Sequence, residues 1–76
     1  MPCFDPDGHL SRLAITALEA ILDAPLDDEG LAEAVGRPAD TGRRFARALK
    51  NAGLIEVAGG RWEITDMGRE RLRSER

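Results

Sequence analysis

Leu31-Ala32-Glu33-Ala34-Val35-Gly36-Arg37-Pro38 leads, through Asp40-Thr41, to Leu49-Lys50-Asn51-Ala52-Gly53-Leu54-Ile55. Two helices and a tight turn are legible in that stretch. Asp27-Asp28-Glu29 puts acids at the start of the first, where the macrodipole favours negative charge, which predicts a helix over about 28–35. It buries Leu31, Ala32 and Val35, and Gly36 stands where a helix end takes a left-handed residue. Arg37-Pro38-Ala39 makes the turn, and Asp40 is a natural N-cap for a helix from Thr41 to about Ala52, stopped by Gly53. On a 100° wheel Phe45, Ala48, Leu49 and Ala52 of this helix fall together, opposite Arg43, Arg44, Arg47, Lys50 and Asn51.

Upstream, Leu10, Leu13, Ala14, Ala17, Leu18 and Ile21 repeat at helical spacing, which predicts an amphipathic helix over 10–22. Asp5 or Asp7 can cap it, with Pro6 in a first helical position, and Pro25 ends it. Ile15 and Leu22 project about 100° away from that stripe, and Leu26 follows, so a second apolar face is left over. Downstream the period changes to two. Ile55 and Val57 alternate with Glu56, Ala58-Gly59-Gly60 offers turn residues, and Trp62 and Ile64 alternate with Glu63, which predicts a short β-hairpin. Thr65 then caps a last helix over about 66–74, with Met67 and Leu72 inward and Arg69, Arg71 and Arg73 largely outward. The expected core is Leu13, Leu18, Ile21, Leu31, Val35, Phe45, Leu49, Leu54, Trp62 and Ile64.

The chain has 76 residues, which allows one α+β domain over 1–76 with residues 1–8 as an irregular lead-in. With 42% hydrophobic and 33% charged residues it is too apolar for disorder, and no apolar run nears the ~18 residues of a membrane span. Met1-Pro2-Cys3-Phe4-Asp5 has neither the basic nor the apolar region of a secretory signal, and one cysteine makes no internal disulfide, so the expected location is the cytoplasm. A core this small implies modest stability and hence self-association. It also leaves little interior for a substrate pocket, so no enzyme is expected.

The net charge of −3 hides a division. Residues 1–36 hold eight acids and one base, giving −7, whereas residues 37–76 hold ten bases and six acids, giving +4. A local basic face can attract phosphates although the whole is acidic. Ten of the eleven bases are arginine, which a GC-rich genome accounts for somewhat better than a need for phosphate and carboxylate forks does.

The order of helix, short helix, turn, basic helix and hairpin is that of a winged helix-turn-helix. The stretch from Leu31 to Ile55 resembles the helix-turn-helix of bacterial winged-helix regulators such as the MarR, PadR and IclR groups. Gly60-Arg61-Trp62-Glu63-Ile64-Thr65-Asp66-Met67-Gly68 is similar to their wing and the "T-x-x-G" start of the helix after it. The resemblance covers about residues 9–73 and implies a small DNA-binding transcriptional regulator. Gly42 departs from the pattern, which usually has an aliphatic residue there. A helical glycine costs about 0.5–1 kcal/mol relative to alanine, so a looser first turn is expected.

In such a regulator the helix after the turn enters the major groove, and arginine forks onto guanine. Arg43, Arg44 and Arg47 are then the base and phosphate contacts, and Thr41 meets a phosphate or a thymine methyl. Lys50 is a point charge on the backbone, and Arg61 at the wing tip reaches phosphate or the minor groove. The plainer reading makes the same cations a solvated face. Asp27, Asp28 and Glu29 oppose phosphate, so non-specific affinity is expected to be weak. Ile15, Leu22 and Leu26 are the expected homodimer surface; in the competing reading of a winged-helix protein-interaction module they hold a protein partner instead. Cys3 and His9 are too few for zinc, no nucleophile and base are paired, and no cofactor is implied.

Overall fold

The computed structural model describes residues 8–75. Three helices, a hairpin and a fourth helix follow in order: α1 (Arg12–Asp23), α2 (Asp28–Val35), α3 (Ala39–Asn51), β1 (Ile55–Ala58), β2 (Arg61–Ile64) and α4 (Asp66–Glu75). This is the expected α+β layout. Cys3 and the proposed caps Asp5 and Asp7 lie outside the described residues.

α1 starts at Arg12 because the Ser11 hydroxyl accepts the Ala14 N–H at 3.2 Å, satisfying one of the donors a helix start leaves open. This corrects the expected aspartate cap. Leu10 falls just before the helix and is buried there. α2 runs as expected. Asp27 accepts the Gly30 N–H at 2.7 Å, and Gly36 closes the helix at φ 69°, a conformation that costs glycine nothing.

α3 begins at Ala39, two residues before the Thr41 start that an Asp40 cap would give. Pro38 takes the cap position in extended geometry with no side-chain bond, and Asp40 lies in the first turn. The buried face of α3 is Gly42, Phe45, Ala46 and Leu49, while Ala48 is exposed. That face follows the i, i+3, i+4, i+7 series only when Gly42 is counted as a packing residue. The reason lies in α2, since a Cβ at Gly42 would stand 2.7 Å from Ala32 Cβ and 2.9 Å from Ala32 Cα. Gly42 therefore permits a close crossing of α2 and α3.

The hairpin pairs Ile55 with Ile64 and Val57 with Trp62 around the Gly59-Gly60 turn. Its free edge is partly covered, because Leu26 and Trp62 exchange two backbone hydrogen bonds, at 3.2 and 2.7 Å. At its far end Thr65 explains the "T-x-x-G" motif. Its hydroxyl donates to the Gly53 carbonyl at 2.6 Å and accepts the Gly68 N–H at 3.0 Å. A Cβ at Gly68 would lie 2.1 Å from the Leu54 carbonyl oxygen, so only glycine lets α4 sit this close to the hairpin.

Leu18, Leu31, Leu49, Ile55 and Leu72 are fully buried at the centre, with Phe45 beside them. An aromatic so buried is worth about 3–5 kcal/mol against truncation to alanine, a large part of a small domain's ~5–15 kcal/mol. Three expectations need correction. Leu13 and Trp62 are half-buried at the core's edge, Val57 is exposed on the hairpin, and Met67 is 61% exposed. Met67 is displaced outward because Gly68, next to it, takes the inward side of α4. No helix among the described residues is long and apolar enough to cross a membrane.

Candidate nucleic-acid interface

The face of α3 opposite Gly42 and Phe45 carries Arg43, Arg44, Arg47 and Lys50, all exposed. Asp40, Arg43, Arg44 and Arg47 line a shallow depression along it. Thr41 sits half-buried in the helix's first turn, so its hydroxyl is less available than the arginines. Arg61 opens β2 opposite Ala58, directly beside the Gly59-Gly60 turn, and is exposed at the wing tip.

These cations differ in what holds them. Arg44, Arg47, Lys50 and Arg61 have neither a hydrogen bond nor an ion pair with another described side chain. Arg43 is engaged twice. Its Nε lies 3.7 Å from Asp28 Oδ2 and its NH1 3.8 Å from Asp40 Oδ1. Asp28 also accepts the Trp62 indole N–H at 2.7 Å through Oδ1. The acids at the start of α2 are thus not three free charges facing a ligand, because Asp27 caps the helix and Asp28 is shared between α3 and β2.

The contact of Asp40 with Arg43 has a sequence signal, the i, i+3 spacing on a helix. The role of Asp28 has none. It lies 34 residues from Trp62, and only the pairing of Leu26 with Trp62 brings β2 to the start of α2.

The three residues expected at a dimer surface are placed unequally. Ile15 and Leu26 pack in part against the chain's own core, and Leu22 is 42% exposed on α1 beside Glu19, Ala20 and Asp23. His9 has its Nδ1 3.1 Å from Glu75 Oε2, at the junction of the lead-in and α4. Among the described residues no group of three or more His, Cys, Asp or Glu side chains is placed to hold a metal ion.

No family model matches the chain, and no curated protein does. Among solved structures it is similar to CalO1, a methyltransferase in calicheamicin biosynthesis in its SAH-bound form, at 30% identity and a TM-score of 0.65. The match covers 78% of this chain and 18% of that one, so the chain spans a small part of the methyltransferase's length. The likeness fits a winged-helix-like α+β fold and points to no regulator group.

Proposed function

We propose that the chain is a winged-helix module that binds double-stranded DNA, with α3 in the major groove and the β1–β2 wing against the adjacent backbone. In this reading it acts as a transcriptional regulator. The observation that carries it is the set of exposed cations Arg44, Arg47 and Lys50 on one helix face, with no ion-pair partner among the described residues, and Arg61 on the wing, in a chain whose net charge is −3. Basic groups gathered on the exposed face of a helix of groove-fitting size suit an anionic partner. Two copies joined along the Leu22 side of α1 would offer a pair of α3 helices to two half-sites, the usual geometry for a helix-turn-helix dimer.

The test is a titration of labelled random-sequence duplex against the purified protein and Arg47→Glu, at low and moderate salt. The proposal expects binding by the parent chain at low salt and its loss on charge reversal, with the circular dichroism of both proteins unchanged. Equal retention of the duplex by both would contradict it.

A second reading is a protein-interaction module without DNA. Leu22, exposed beside Glu19 and Asp23, favours it, as does the likeness to a small part of a much longer enzyme. A folded protein that binds no duplex at low salt would shift the assignment to this reading.

A further inference from the structure

Asp28 stands where three elements meet. Its two oxygens are divided between the Trp62 indole of β2, at 2.7 Å, and Arg43 Nε of α3, at 3.7 Å. Asp40 approaches the same guanidinium from within α3, at 3.8 Å from NH1. Arg44, Arg47 and Lys50 have no such partners among the described residues. Among the described residues the cations of α3 therefore fall into two kinds, three with no carboxylate in ion-pair range and one with two carboxylates at 3.7 and 3.8 Å.

The difference has a chemical consequence. Attraction to phosphate depends on net local charge, and at Arg43 an arriving phosphate would be a third anion around one cation. A guanine edge is neutral and presents two acceptors, O6 and N7, so it is recognised by directed N–H groups more than by charge. With Nε turned to Asp28, the terminal NH1 and NH2 are the pair suited to that edge, at the expense of the long contact to Asp40. Both the Asp28 and Arg43 side chains are substantially exposed, at 41% and 54%, and exposed pairs are weak enough to rearrange for a ligand.

We propose that Arg43 is the guanine-reading residue of α3 and that Asp28 is the positioning residue that keeps it off phosphates. The proposal rests on the reading of α3 as a DNA-binding helix and divides its labour. Arg44, Arg47 and Lys50 supply backbone affinity, and Arg43 supplies sequence preference.

The experiment uses two probes, a labelled pool of random-sequence duplexes and a duplex recovered from that pool by selection on the parent protein. Asp28→Asn keeps an amide oxygen for the Trp62 indole and removes the charge. It is expected to bind the random pool more tightly, with a log K against log salt slope steeper by about 0.9, the contribution of one more phosphate. Its preference for the selected duplex should fall by about tenfold, the lower range for losing one base contact. Arg43→Gln should lose a similar factor on the selected duplex while the random-pool affinity and slope stay as they were. Trp62 is the sole tryptophan, so its emission verifies that the hairpin keeps its seat in each variant.

Asp28→Asn weakening both duplexes by one factor at unchanged slope would show a merely structural role and overturn the proposal. A shallower slope in Arg43→Gln would do so as well, by making Arg43 a phosphate contact. If Asp28→Asn fails to fold, the Arg43→Gln result decides alone. Parent protein that retains nothing from the random pool removes the DNA reading and this assignment with it, whereas parent binding with an unchanged preference in both variants removes the assignment only.

Discussion

Gly42 is the residue at which sequence and structure give opposite signs. A glycine in a helix interior normally costs stability, and by that rule Gly42→Ala would gain about 0.5–1 kcal/mol. In the fold the added methyl would meet Ala32 at 2.7 Å, and the atoms it meets include backbone, which cannot swing aside. Gly42→Ala is therefore expected to destabilise by about 1–3 kcal/mol, the usual range for overpacking. Denaturant unfolding of the two proteins checks it, and a variant more stable than the parent would contradict the close crossing of α2 and α3. The same residue sets the inward arc of α3 apart from the one that apolar periodicity predicts. Without a side chain Gly42 carries no apolar signal, so Ala48 took the place that belongs to Ala46.

At the scale of elements, legibility followed the range of the interactions that set each boundary. α2 was readable because its acids and Gly36 both act within the helix itself. Thr65 was readable for the same reason, since its bond to Gly68 spans three residues. The start of α1 was misplaced because Asp5-Pro6-Asp7 is a stronger local signal than Ser11, whose hydroxyl caps the helix in the fold. The clasp between the lead-in and α4 was not readable at all. There the Glu75 carboxylate, only 11% exposed, accepts the Leu10 N–H at 3.0 Å and lies 3.1 Å from His9 Nδ1 and 3.3 Å from Arg71 Nε.

That clasp predicts a pH dependence. The bond from the Leu10 N–H holds the Glu75 carboxyl below its ordinary value of 4.5, with further lowering from His9 and Arg71 and partial opposition from burial. A carboxyl whose folded value is depressed stabilises the fold above its unfolded value, and that contribution is lost as pH falls through the folded value. Glu75→Gln should accordingly be less stable than the parent at neutral pH, and the gap should narrow as the medium is acidified below about pH 4.5. Urea unfolding at a series of pH values checks it, and a gap independent of pH would contradict the ionic role of Glu75.

α1 carries a second element-scale prediction. Ile15 and Leu26 are partly occupied by the chain's own core, so Leu22 is the position that reports on pairing without disturbing the fold. If two copies meet along this side of α1, Leu22→Glu should convert a dimer to a monomer in sedimentation at tens of micromolar while leaving unfolding nearly unchanged. A parent protein already monomeric there would remove the homodimer from the proposed mechanism.

At the scale of the whole molecule, the division of charge between the two halves of the chain is plain in the sequence, but its arrangement in space is not. The sequence places Arg43, Arg44, Arg47 and Lys50 on one arc of a helix, and the structure keeps them there. What periodicity could not distinguish is a paired arginine from a free one, because the pairing with Asp28 is made by a contact between separate helices. With Arg43 near two carboxylates, the cations of the proposed surface without an ion-pair partner among the described residues are Arg44, Arg47, Lys50 and Arg61. Each phosphate neutralised on duplex DNA contributes about −0.9 to the slope of log K against log salt, so four predict a slope near −3.6 per protomer.

The measurement that bears most directly on the account is that slope, taken with random-sequence duplex from ~20 mM salt upward, where backbone contacts dominate. The account predicts a slope near −3.6, with weak binding at physiological salt because the acidic half opposes association. No duplex binding at ~20 mM salt by a protein shown to be folded, or binding that does not change with salt, would contradict it.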